Sequence, residues 1–226
     1  MEINKAFITI GLATALLQMP VAADAQHAGS ACCDHGNKTC QQNPLLQKST
    51  LPFGAPDFSR IKETDYLPAI EAAVKQQREN IQKIVDNKAK PTFANTILAY
   101  ENSGVLLENV SNVFFGLCSA HKTPVIADTE KKVTPLLTDL DNEISFNQKL
   151  FERIKYVYDH EYKSLTGEDQ RLTEVIYKGF VRSGAMLSAD KMQRMKQINS
   201  RISDLQQQWG NLLPEATNNA VVWVDS

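Results

Sequence analysis

From Thr64 onward, apolar positions recur at threes and fours, and the chain reads as a succession of amphipathic helices. In the first, Leu67, Ile70, Val74, Ile81 and Ile84 share a face, with Lys75, Arg78, Glu79 and Lys83 between them. Thr64 or Asp65 is placed to cap its start, and Pro91 closes it soon after Asn87. A second helix is predicted from about Phe93 to Ser119, with Ile97, Tyr100, Leu107, Val110, Phe114 and Leu117 as its stripe. A third spans about Asp128 to Ser145 (Val133, Leu136, Leu140, Ile144), and Pro135 inside it predicts a kink or a late start. The fourth covers about Asn147 to Tyr162 (Leu150, Ile154, Val157). The fifth covers about Thr166 to Ser183 (Leu172, Ile176, Phe180), with Thr166 as N-cap. In the sixth, Met195, Ile198, Ile202, Leu205, Trp209 and Leu212 alternate spacings of three and four. Ser188 caps its start and Pro214 ends it; such a seam is expected to bury against another helix. The fold class is therefore all-α, an antiparallel bundle of about six helices with short connections.

The flanks read differently. Ala220-Val221-Val222-Trp223-Val224 is the one strand signal, with no mate in an otherwise helical sequence. It predicts that the natural chain continues beyond Ser226. Ahead of the helices, Leu51 to Phe58 carries two prolines and one glycine, which predict an extended, turn-rich segment. Residues 26–50 are polar and without period, and are expected to be an unstructured linker. Residues 1–25 read as a secretory signal: Lys5 in the n-region, an apolar stretch from Ala6 to Leu17, Pro20, then Ala23-Asp24-Ala25 as a cleavage site before Gln26. The apolar stretch is too short to span a bilayer. The domain organisation is then signal 1–25, linker 26–50 and helical domain 51–226.

Composition narrows the function only by exclusion. Of 226 residues, 42% are hydrophobic and 22% charged, which fits a globular chain. With 24 basic and 26 acidic side chains there is no basic excess and no nucleic-acid footprint. No Gly-x-Gly, Gly-Lys-Ser/Thr or Gly-x-Ser-x-Gly occurs, so phosphate-cradling loops and the serine-hydrolase elbow are absent.

The candidate chemistry is sparse. Cys32, Cys33, His35 and Cys40 cluster in the linker and could form a soft-metal clip, although adjacent cysteines seldom reach one tetrahedral ion. A disulfide from Cys40 to Cys32 or Cys33 is the alternative in an oxidising compartment, and a lipid anchor on Cys32 a third. Cys118 is expected to be a buried small hydrophobe, and His121, three residues on, a helix-terminal histidine. His160-Glu161 begins the pattern His-Glu-x-x-His, in which two histidines on one helix face clamp zinc. Here the fourth position beyond His160 is Ser164, so the clamp fails and His160 reads as a surface residue near a helix end. Asp139, Asp141 and Glu143 read as a solvated face. From the residues alone no active site emerges.

One longer pattern does carry information. Asn43-Pro44-Leu45-Leu46, then Thr50 to Phe58, Ile61-Lys62 and Asp65-Tyr66-Leu67-Pro68-Ala69, resembles the opening of bacterial peptidyl-dipeptidases of the thimet-oligopeptidase family of zinc metallopeptidases. Pro91 to Ile97, Ser111 to Phe115, Leu150 to Ile154 and Phe180 to Ala185 extend the likeness. The resemblance implies an N-terminal helical part that walls a channel for short peptides. It also implies a zinc site, His-Glu-x-x-His plus a downstream Glu, located in a catalytic half not present here. No catalytic or metal residue carries over; zinc belongs to the complete enzyme, and the partners are the missing catalytic half or peptide substrates. The leading expectation is a piece of an exported enzyme that removes C-terminal dipeptides, plausible for a Gram-negative periplasm. A free-standing helical binding module without catalysis and a small exported metal or redox protein built on the cysteine tail are the alternatives.

Overall fold

The computed structural model describes residues 43–220. Within them six α-helices follow one another: α1 (Tyr66–Asp86), α2 (Val105–Ala120), α3 (Pro124–Ser145), α4 (Gln148–His160), α5 (Gly167–Ser183) and α6 (Ala189–Asn219). Among the described residues there is no strand, and the helical bundle expected from the stripes is borne out. The signal segment and the cysteine cluster lie outside the described residues. So does the strand signal, apart from Ala220 at the end of α6.

The linker reading meets the structure only at its far end. Residues 43–50 were expected to be unstructured, yet Asn43 is buried and Pro44–Leu46 forms a 3-10 turn. Asn43 explains this order. Its Oδ1 accepts from the Leu45 N–H at 3.0 Å, and its Nδ2 donates to the Asp65 carbonyl at 2.8 Å, which ties the segment to the start of α1. Thr64 does not cap α1. Asp65 does so indirectly: its carboxylate accepts the backbone N–H of Lys62 at 2.8 Å, steadying the 3-10 turn Glu63–Asp65 that leads into the helix.

The second predicted helix is broken. Phe93–Leu98 is a π-helical turn, Ala99–Glu101 a single α turn, and Asn102–Gly104 a 3-10 turn, before α2 begins. Side chains divert the carbonyls that a continuous helix would use: Asn102 Nδ2 donates to Leu98 O at 2.9 Å and Ser103 Oγ to Tyr100 O at 2.6 Å. Gly104 also permits a close approach, since a Cβ there would lie 2.8 Å from Gln77 Nε2 on α1. In contrast, α3 starts earlier than expected. Thr123 Oγ1 accepts the Ile126 N–H at 3.2 Å and Pro124 occupies the first helical position, where its missing N–H costs nothing. Pro135 sits inside α3 without ending it. Pro214 likewise does not end α6, which continues to Asn219.

Side-chain contacts fix the directions. Tyr66 meets Phe114 at 5.5 Å between ring centroids while Asn80 Nδ2 reaches Ser103 O at 3.2 Å, so α1 and α2 run antiparallel. Tyr158 stacks on Tyr177 at 4.0 Å and Phe151 on Phe180 at 6.2 Å, which makes α4 and α5 antiparallel. Along α3 and α6, Lys122 meets Asn211, Thr138 meets Ser203 and Asn142 meets Asn199, again antiparallel. Helix α1 lies at the centre, touching α2, α3 and α4. Its face Tyr66, Ala69, Ile70, Ala73, Val74, Ile81 and Ile84 is buried throughout, and it meets Val110 and Phe114 of α2, Val133 of α3 and Ile154 and Val157 of α4 in one core.

Arg153 of α4 locks the core to the loop after α1. Its guanidinium donates to the carbonyls of Asn87 (2.7 Å) and Ala89 (3.3 Å), to Asn95 Oδ1 (3.1 Å) and to Thr96 Oγ1 (3.4 Å). All four partners are uncharged, and desolvation pulls its pKa down.

Candidate functional site

Among the described residues the sequence candidates do not assemble into a reaction centre. Cys32, Cys33, His35 and Cys40 lie outside the described residues. Cys118 stands near the end of α2, half-buried rather than buried, as a free thiol. Its pKa is pushed up to about 11, chiefly by desolvation and then by the charge of Glu130, with Lys122 opposing. His121 is the exposed residue that follows α2, its N–H donating to Leu117 O at 2.8 Å.

His160 and Glu161 are committed to local structure. His160 Nδ1 lies 2.8 Å from the Tyr156 carbonyl, and the ring stacks on Tyr156 at 4.1 Å. The Glu161 carboxylate accepts the backbone N–H of Phe93 at 2.9 Å, at the mouth of the π-helical turn. Ser164, standing where the zinc motif needs its second histidine, donates through Oγ to the Glu161 carbonyl at 2.7 Å. These three residues therefore do not fit a zinc ion. Among the described residues no group of three or more His, Cys, Asp or Glu side chains is placed to hold a metal.

A groove of about 780 Å³ lies between residues 44–61, α1 and α2. The helical side of its polar lining is rich in amides, with Gln76 and Asn80 from α1, Asn102 ahead of α2 and Asn109 and Asn112 from α2, while Lys48, Asp57 and Arg60 line the other side. Such a wall can donate and accept hydrogen bonds along an extended backbone. Among its lining residues no base is paired with a nucleophile. A search for catalytic motifs and metal-binding clusters passes over it. The signal was present as helical spacing, with Gln76 and Asn80 four apart and Asn102, Asn109 and Asn112 seven and three apart.

A second feature is the outer face of α6. The seam read as buried is not: Ile198 is 38% exposed, Leu205 46%, Trp209 68% and Leu212 58%. The helix attaches to α3 through polar side chains. Asn199 Nδ2 donates to Asn142 Oδ1 at 2.7 Å, Ser203 pairs with Thr138 at 2.9 Å, and Lys122 reaches Asn211 at 2.9 Å.

No protein-family model matches the chain. Individual proteins do. It is 38% identical to a dipeptidyl carboxypeptidase of Salmonella typhimurium over 184 residues, which are 81% of this chain and 27% of that protein. It is 36% identical to the dipeptidyl carboxypeptidase of Escherichia coli over 178 residues, 78% of this chain and 26% of that protein. Oligopeptidase A of Escherichia coli is 26% identical over 176 residues, 77% of this chain and 25% of that protein. The all-helical bundle thus belongs to a peptidase lineage. Over most of its length the chain is a relative of the dipeptidyl carboxypeptidases and oligopeptidase A of the thimet-oligopeptidase family, as the segment from Asn43 implied. It spans about a quarter of the length of the curated relatives it matches.

Proposed function

We propose that this chain serves as the non-catalytic helical part of an exported zinc peptidyl-dipeptidase, an enzyme that releases dipeptides from the C-termini of short peptides. The observation that carries the reading is the 38% identity to a dipeptidyl carboxypeptidase across 81% of the chain. The groove lined by Gln76, Asn80, Asn102, Asn109 and Asn112 supports a role in holding an extended peptide. Because His160, Glu161 and Ser164 are engaged elsewhere, the zinc and its bound water belong to the remaining part of such an enzyme. Export is supported by Lys5, the apolar stretch from Ala6 to Leu17 and the Ala23-Asp24-Ala25 site; the periplasm of a Gram-negative cell is the compartment this implies.

The test is a chimera in which this chain replaces the matching stretch of the Salmonella typhimurium dipeptidyl carboxypeptidase. Zinc-dependent dipeptide release by the chimera is the expected result. A soluble chimera without activity overturns the reading. The 226-residue chain alone is expected to release no dipeptide; release abolished by His160→Ala would mean that the zinc chemistry resides here. Recovery of the chain from the periplasm with Gln26 as its first residue checks export.

A further inference from the structure

On an α-helix successive residues turn by about 100°, which gives α6 two distinct faces. The residues that touch the rest of the bundle fall in one stripe: Met192 meets Gln148 of α4, Lys196 lies over Phe146 just past α3, Asn199 and Ser203 bond to α3, and Asn211 bonds to Lys122 just before α3. Ile198, Leu205, Trp209 and Leu212 fall in another, about 150° round the axis. The helix is thus held to its own bundle by its polar side and presents its apolar side outward. Met195 and Ile202 stand on the shoulder between, half-buried. The outward ridge is about 21 Å long from Ile198 to Leu212. Large apolar side chains gathered along one side of a helix are a common mark of an interaction surface.

We infer that the Ile198–Leu205–Trp209–Leu212 ridge of α6 is the docking surface for the catalytic remainder of the peptidase. The inference rests on the function proposed above and names the surface through which it would operate. Three observations select this occupant. The relatives carry about three quarters of their length outside the matched stretch. Helix α6 is the last described helix, and successive elements are usually neighbours in space. The ridge lies mostly in the C-terminal half of α6, where its most exposed members, Trp209 and Leu212, stand.

The experiment places Leu205→Glu and Trp209→Glu together in the same chimera and in the 226-residue chain. Both positions are exposed, so helical content and thermal midpoint of the 226-residue chain should be unchanged. In the chimera the pair should lower dipeptide release at least tenfold and the thermal midpoint by several degrees. An active unsubstituted chimera whose doubly substituted form is equally active and stable overturns the docking inference and leaves the proposed function standing. An inert unsubstituted chimera overturns both. If the 226-residue chain instead forms a dimer that the substitutions abolish, while the chimera ignores them, the ridge is a self-association surface and the inference is wrong.

Discussion

The carboxylate of Glu161, just past the end of α4, accepts the backbone N–H of Phe93 at 2.9 Å, so a residue that begins a zinc-peptidase pattern instead caps the π-helical turn Phe93–Leu98. The two residues are far apart in sequence, and the bond ties the start of the irregular segment to the α4–α5 corner. Glu161→Ala leaves that N–H without its charged acceptor. The expected cost is about 1–2 kcal/mol in urea denaturation. Any activity of the complete enzyme at saturating substrate should be little changed. A loss of several orders of magnitude in turnover with unaltered stability would return Glu161 to the chemistry.

Tyr100 provides the alkaline limit of the fold. Its phenol is pushed up to about 12, first by desolvation and then by the charges of Asp141 and Glu101. Tyr66 is raised as well, with desolvation again the leading cause. A folded-state pKa above the unfolded one favours the protonated form. The stability tied to Tyr100 is therefore complete below its ordinary value of 10.0 and is lost as pH rises from there through about 12. The loss should amount to about 2–3 kcal/mol. Urea midpoints measured across this window should fall, and Tyr100→Phe should flatten the slope.

Gly184 illustrates which local features were legible and which were not. The fifth helix was expected to end at about Ser183, and α5 does stop there; the device that ends it is Gly184 at φ 99°, with Ala185 N–H returning to Phe180 O at 3.0 Å. A Cβ at Gly184 would stand 2.7 Å from Leu187 Cδ1 and 3.5 Å from Phe146 Cε1. Gly184→Ala therefore meets both an unfavourable backbone and a packed neighbour, and should cost about 1–3 kcal/mol. Gly104→Ala meets only the flexible end of Gln77 and should cost less. Equal losses for the two, read from thermal denaturation, would contradict the packing argument.

Cys118 shows how burial changes reactivity without a partner. With its pKa near 11 in place of 9.0, the thiolate fraction at neutral pH falls roughly a hundredfold. Alkylation of Cys118 in the folded protein, followed on its own peptide by mass spectrometry, should be slower than in urea by a comparable factor. Glu130→Gln removes the second-largest cause and should speed it modestly; no effect of folding on the rate would show that the thiol is not desolvated.

Helical existence was legible because each stripe needed a partner: Ile70 and Val74, Val110 and Phe114, Ile154 and Val157 are all buried as their spacing required. The breaks were not. Ser103 and Asn102 look helix-compatible in isolation, and only their capture of carbonyls from Tyr100 and Leu98 ends the first turns before α2. Prolines mislead in the opposite direction: Pro214 was read as the end of its helix, yet α6 passes through it, and α3 begins well ahead of Pro135 rather than after it. The groove escaped because its lining residues, among them Lys48, Asp57, Arg60, Gln76, Asn80 and Asn109, form no catalytic or metal-binding motif, and periodicity says which residues share a face but not what that face meets.

That distinction matters most for α6. Its seam of Met195, Ile198, Ile202, Leu205, Trp209 and Leu212 has the spacing of a buried coiled-coil face, yet no described side chain of α6 is fully buried. The attachment to α3 rests on Asn142–Asn199, Thr138–Ser203 and Lys122–Asn211, and hydrogen bonds of this kind are each worth only about 1 kcal/mol net. Helix α1, in contrast, buries seven residues in the central core. The 226-residue chain should therefore open in stages, with α6 detaching well before α1, α3 and α4 unfold. Hydrogen exchange should show α6 amides exchanging through a local opening insensitive to low urea, and α1 and α4 amides through the global transition. Replacing Asn142 and Asn199 together by Leu should slow exchange in α6, because an apolar contact would take the place of a polar one at the same position. Protection of α6 equal to that of α1 in the unmodified chain would mean that the polar stripe holds the helix as firmly as a core does, and the outward ridge would then have no need of a further partner.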